Sequence, residues 1–109
     1  LDVRGKNVVG LKGGDGFEFD SYLDESTGQE DVYKTVAEPI VTSVLKGYNG
    51  TVFAYGQTGS GKTYSMFGKN DGIVPRSLGH IFRVVQENED EYEYQVKLSY
   101  VQLYCELLT

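Results

Sequence analysis

Between Val32 and Leu45 apolar residues recur at helical spacing. Val32, Tyr33, Val36, Ile40, Val41, Val44 and Leu45 form one stripe. Thr27 followed by Glu30 has the spelling of a capping box, which predicts the helix start. Pro39 interrupts the stripe and has no N–H to donate, so a kink or break is expected near Ala37–Glu38. Gly47 is the expected stop, and Asn49-Gly50 the turn beyond it. A second helix is predicted from about Gly61. It pauses around Gly68–Gly72 and resumes at Val74 or Pro75, with Leu78, Ile81, Phe82 and Val85 facing inward.

Other stretches have the two-residue period of strands. Tyr92, Tyr94, Val96, Leu98 and Tyr100 alternate with polar residues, and from Val101 both faces turn apolar, which predicts deeper burial. Thr51-Val52-Phe53-Ala54-Tyr55 is short, apolar and partly β-branched, the pattern of a buried parallel strand. Residues 1–20 read as short strands. Val8, Val9 and Leu11 follow the turn Gly5-Lys6-Asn7, Gly13–Gly16 is a second break, and Phe17-Glu18-Phe19-Asp20 alternates like a half-buried strand. Five acidic residues between Glu87 and Glu93 mark a solvated turn.

Length and charge narrow the function classes. The 109 residues hold at most one domain of ordinary size. The net charge of −6 argues against nucleic acid, or any acidic polymer, as the direct partner of this segment. Cys105 is the sole cysteine, so no internal disulfide can form; a reducing compartment and a buried strand position are expected for it. No apolar run reaches membrane-spanning length. The chain opens at Leu1 without a methionine and stops just after an apolar strand pattern, so both ends read as cuts.

The candidate chemistry lies in Gly56-Gln57-Thr58-Gly59-Ser60-Gly61-Lys62-Thr63, which matches the Walker A pattern in full. A strand delivers the chain to a tight loop whose amides can converge on one concavity. Gly59 and Gly61 permit positive φ and leave room for phosphate oxygens. The helix behind them adds its positive end. Lys62 can reach the β- and γ-phosphates, and the Thr63 hydroxyl can hold Mg²⁺. The competing reading is a glycine-rich turn, but the strand before and the helix after are predicted independently.

The stretch GYNGTVFAYGQTGSGKTYSMFG, Gly47 to Gly68, resembles the nucleotide-binding core of kinesin motor domains. Further landmarks follow in that family's order and run nearly end to end. They are Phe17–Asp20, Gln29 with Val32-Tyr33 at the helix start, Gly72-Ile73-Val74-Pro75-Arg76 with Ile81-Phe82, and Ser99 to Glu106. Gln102 and Cys105 depart from the usual Glu and Asn. The resemblance implies an α/β P-loop NTPase, a three-layer sandwich about a mostly parallel sheet, present here only in part. Residues 1–20 would be a small β lobe and the strand leading in; residues 51–88 would be strand, phosphate loop and helix. It implies a cytoplasmic, cytoskeleton-associated ATPase that moves along or remodels microtubules, with ATP and Mg²⁺ as cofactors and no nucleic-acid or membrane partner. Gly56 to Thr63 would cradle the phosphates. Tyr64 matches a position whose ring often lies against adenine; a helix residue packed on the sheet is the other reading. Arg76 receives a structural role beside Pro75, and His80, the sole histidine, a surface or satisfied one.

The same resemblance implies what lies elsewhere. An adenine-contacting RxRP strand would precede residue 1, and two switch segments similar to NxxSSRSH and DLAGSE would follow residue 109, with the track-binding elements and the neck. The 109 residues alone are therefore expected to be inactive in turnover. Asp2-Val3-Arg4-Gly5 has the DxxG spelling but precedes the loop, and it reads as a turn. The main strands would be separated by strands from outside this stretch, so the isolated chain is expected to be unstable. A different P-loop kinase or GTPase would carry NKxD or an arginine-bearing lid, and neither is here. A non-motor protein that keeps a motor-like core without turnover stays open. Direction, cargo and oligomeric state are not encoded in these residues.

Overall fold

β1 (Asp2–Gly5), β2 (Val8–Gly10) and β3 (Gly16–Glu18) form an antiparallel meander in the computed structural model of the protein, which describes residues 2–5, 7–10, 12–105 and 107–108. Val9 pairs with Val3 on one side and Phe17 on the other. Asp2–Gly5 is thus a strand with an irregularity between Val3 and Gly5, not the turn expected for its DxxG spelling. Lys6 of the expected turn, Leu11 of the expected strand and Glu106 of the last landmark lie outside the described residues. Asn7, at φ 68°, fixes the exit of the meander. Its carbonyl accepts from the Phe19 amide (2.9 Å), its side-chain amide donates to the Asp20 carbonyl (3.0 Å), and its Oδ1 accepts from the Tyr22 amide (3.0 Å).

The long helix runs as α1 (Gln29–Val32), a π-helical turn (Tyr33–Ala37) and α2 (Glu38–Leu45). The break expected beside Pro39 is this π turn. The Glu38 amide bonds to the Tyr33 carbonyl, and Pro39 falls in the first turn of α2, where its missing N–H costs little. The capping box does not form: the helix starts after Gly28 with no side-chain cap. Thr27 Oγ1 and the Ser26 amide and hydroxyl donate instead to Asp24 Oδ1, closing a local turn one step earlier. Gly47 ends the helix at φ 106°, with the Tyr48 amide on the Ser43 carbonyl (3.1 Å) and the Gly47 amide on Val44 (3.0 Å), a Schellman cap.

Beyond residue 50 the order of elements is α3 (Lys62–Met66), α4 (Ile73–Glu87) and a two-residue hairpin of β4 (Leu103–Tyr104) with β5 (Leu107–Leu108). The core is small. Tyr33 and Ala37 from the long helix meet Ile73 from the start of α4, and Val32, Val52 and Met66 pack around them. Val41 is buried one helical turn beyond Ala37. The buried stripe is therefore Tyr33–Ala37–Val41. Val36 and Val44, which periodicity placed inside, are exposed, and so is Phe82 on α4.

The strands expected at Thr51–Tyr55 and from Tyr92 to Tyr100 are not found as such. Neither stretch joins a ladder, and Tyr55 and Leu98 are 94% and 84% exposed. Val101, Leu103 and Tyr104 are exposed too, against the expectation of deeper burial. Cys105, expected inside a strand, is exposed in the hairpin turn at φ 48°. The physical reason is shared: a strand satisfies its backbone only through neighbours, and the described residues provide none at these places. The accessible surface is 9379 Å², against about 6,000 Å² for a compact chain of this mass. The radius of gyration is 17.1 Å, where about 13 Å is usual. The class α/β fits; the described residues show a three-stranded meander and a small hairpin, not a sandwich. Among the described residues no helix is long and apolar enough to cross a membrane.

Candidate functional site

Gly56 to Thr63 bends sharply, and its conformation follows from where glycine stands. Gly59 and Gly61 take φ of 81° and 99°, the left-handed region that side chains resist. A Cβ at either would point into open space, so the requirement is conformational and the room beside them is free. Gly56 differs: a Cβ there would overlap Ser60 Oγ, so the loop closes on itself at that point. The Ser60 amide turns inward to the Gln57 carbonyl (3.1 Å). Among the described residues the amides of Gly59, Gly61, Lys62 and Thr63 meet no backbone acceptor. These are the loop and first-turn donors that an anion would need.

Lys62 opens α3, and its ammonium folds back over the loop. Nζ donates to the carbonyls of Gly56 and of Gln57, the latter at 2.8 Å. The one cation of the loop is thus centred on the bend itself. Thr58, Gly59, Gly61, Lys62, Thr63 and Tyr64 line an open depression. Thr63 stands in the first turn of α3, and the Tyr64 ring is largely exposed at the rim. Ser60, Lys62 and Ser65 also border an apolar groove walled by Val36, Val52 and Ile73. The structure therefore brings Gly56, Gln57, Thr58, Gly59, Ser60, Gly61, Lys62, Thr63 and Tyr64 into one continuous feature. A polyphosphate fits its donor set: free amides, one ammonium and the hydroxyls of Thr58, Thr63 and Tyr64, with no carboxylate among the lining residues.

Three contacts hold α3 in place. The first is a close backbone approach: a Cβ on Gly72 would lie 2.7 Å from the Met66 carbonyl carbon and oxygen. The second is the tight Gly68–Gly72 loop. There the Lys69 amide donates to Asp71 Oδ1 (2.8 Å), and Arg76 Nε donates to the Asp71 carbonyl (2.6 Å). Arg76 thus has the structural role expected. The third is the side-chain amide of Gln29, which donates to the Tyr64 carbonyl at 2.8 Å from 35 residues away. Sequence reasoning noticed Gln29 only as a helix start. No local signal marks a contact across that separation.

His80 is a satisfied residue. Its Nδ1 shares a 2.7 Å hydrogen bond with the Tyr33 hydroxyl, with the rings edge to face at 6.3 Å. Burial, helped by nearby Glu38, raises the Tyr33 pKa, so the phenol stays neutral and α4 stays tied to the long helix. Among the described residues no three His, Cys, Asp or Glu side chains converge as a metal site.

Comparison with known proteins adds the family. Residues 5–109 match the model of the kinesin motor domain. The chain is 42% identical over 107 residues to kinesin-related protein 3 of Dictyostelium discoideum, covering 91% of this chain and 9% of that protein. It is 44% identical over 95 residues to the human kinesin-1 heavy chain, covering 83% of this chain and 10% of the relative. A crystal structure of mutants of the kinesin motor ATPase superposes with a TM-score of 0.65 at 43% identity, over 71% of this chain and 24% of the other. The chain thus spans about a tenth of the length of these curated relatives.

Proposed function

The chain belongs to the kinesin motor-domain family, and from that premise we infer that Gly56–Thr63 cradles the triphosphate of ATP in a motor that works on microtubules. One observation supports this most: Lys62 crosses a loop whose Gly59 and Gly61 are already left-handed and whose next residues begin a helix. A loop shaped in advance pays little ordering entropy when an anion arrives. The free amides and the Lys62 ammonium would take the β- and γ-phosphate oxygens. The Thr63 hydroxyl would hold Mg²⁺, which, when bound, neutralises charge on the transferred phosphoryl group. The Tyr64 ring would stand beside the base at the rim of the depression.

These residues bind and orient. Groups that position the attacking water, and surfaces that grip the track, are assigned to no residue of this chain. The charge of −6 supports that division, because tubulin is acidic and a track-binding face should be basic. A cytoplasmic, cytoskeletal setting follows from the same reading. The test is equilibrium binding of a fluorescent ATP analogue with Mg²⁺ to the full-length polypeptide. Lys62→Ala should weaken it by at least tenfold, since a charge-assisted contact is lost. Unchanged affinity in that variant would contradict the assignment.

A further inference from the structure

The contact between Gln29 and α3 has a consequence beyond holding the helix. In an uninterrupted helix the Gly68 amide would serve the Tyr64 carbonyl. Here it turns to the Thr63 carbonyl at 3.3 Å, beside the Phe67 amide at 2.8 Å. The Tyr64 carbonyl is left to the Gln29 side chain, which donates to it at 2.8 Å. The fit is specific. Gly68, at φ 54°, lets the Gln29 amide and the Asp71 carboxylate come close together, since a Cβ there would stand 2.8 Å from Gln29 Nε2 and nearer still to Asp71 Oδ1. Gln29 itself is fixed as the first residue of the long helix.

We propose that Gln29 is a positioning residue for Tyr64. It grips the backbone of the one aromatic residue that lines the depression, and so tunes recognition of the base while leaving the phosphate loop alone. The loop is anchored separately, by Lys62 on the Gly56 and Gln57 carbonyls and by Ser60 on Gln57. The inference rests on the nucleotide reading above.

The experiment measures binding of ATP and of inorganic tripolyphosphate, both with Mg²⁺, to the full-length polypeptide carrying Gln29→Met or Gln29→Glu. Both variants keep the length of the side chain and lose the donor. They should shift helix stability in opposite directions, because a carboxylate near a helix N-terminus is favourable. Affinity for ATP should fall about fivefold in both, the range of one lost hydrogen bond, with tripolyphosphate affinity unchanged. In a Tyr64→Leu background, Gln29→Met should have no further effect on ATP. Equal losses for both ligands, no loss for either, or losses that follow the melting temperature of the two variants would overturn the proposal. ATP affinity unchanged by Lys62→Ala would remove the nucleotide reading and this inference with it. Lys62-dependent binding with an unaltered ratio of ATP to tripolyphosphate affinity in Gln29→Met would remove this inference alone.

Discussion

The helices and the strand-patterned stretches of this chain carry similar apolar content and meet opposite fates. The long helix and α4 bury Tyr33, Ala37 and Ile73 against each other, with Val41 buried one turn further on, and join through the Tyr33–His80 hydrogen bond. Residues 51–55 and 92–100 lie in no ladder, and apart from Val52, which touches the core, their apolar side chains, with Phe53, Tyr55, Leu98 and Tyr100, stay wet. A helix satisfies its amides within four residues, so a small core is enough to seat it. A strand needs a neighbour along its whole length. The phosphate loop sits at the boundary, entered from an unpaired stretch and left through α3. The loop itself is closed by Lys62 and Ser60 on the Gly56 and Gln57 carbonyls, while α3 behind it is seated by Gly72 against Met66 and by Gln29 on Tyr64.

The comparison can be broken most forcefully at Ile73. It is 7% exposed in the small core beside the loop. Ile73→Ala should cost about 3 kcal/mol in helical stability, read by circular dichroism at 222 nm in urea against a fixed concentration of a stabilising osmolyte, since the isolated chain is expected to be unstable. A change below about 1 kcal/mol would mean the core is not where the helices draw their stability.

Leu98 gives the converse. At 84% exposure it has little burial to lose. Leu98→Ser should move the same urea midpoint by no more than about 0.5 kcal/mol in the 109-residue chain. A larger loss would show that the stretch is packed after all.

Acid gives the smallest effect and sharpens the contrast locally. Hydrogen bonds from the Ser26 side chain and amide hold the Asp24 carboxyl below its ordinary range. Lys34 does the same for Glu30, by hydrogen bond and charge, across a 3.0 Å ion pair. Both folded pKa values are depressed. Their contribution is therefore complete above the ordinary carboxylate pKa of about 4 and is lost as pH falls through the folded values. Titration by NMR between pH 5 and 2 should loosen residues 24–34 first and leave α4 ordered, and Asp24→Asn should remove the response of Ser26 and Thr27. A response confined to α4 would contradict this.

What the sequence made legible follows the same line. The long helix, its stop at Gly47 and the disturbance beside Pro39 are written in residues within one or two turns of each other. The loop is legible for the same reason, because Gly59, Gly61 and Lys62 impose their geometry locally. The stretches 51–55 and 92–100 announce the strand period but not a partner, since pairing is set by residues distant in the chain. Ala37 escaped notice because it is small, although it is the most buried residue of the core. Gln29 with Tyr64 and Tyr33 with His80 were invisible, joined only by the path of the chain between them. Thr27 was misread because a carboxylate three residues earlier, Asp24, outbid the helix for its hydroxyl.

Hydrogen exchange by mass spectrometry on the 109-residue chain tests the division between the two regions directly. Amides of residues 38–45 and 77–87 should be protected and exchange slowly, while those of 51–55 and 93–100 should exchange at the rate of an unstructured peptide. Comparable protection in both sets would contradict the account, because the strand-patterned stretches would then have found order without a neighbour.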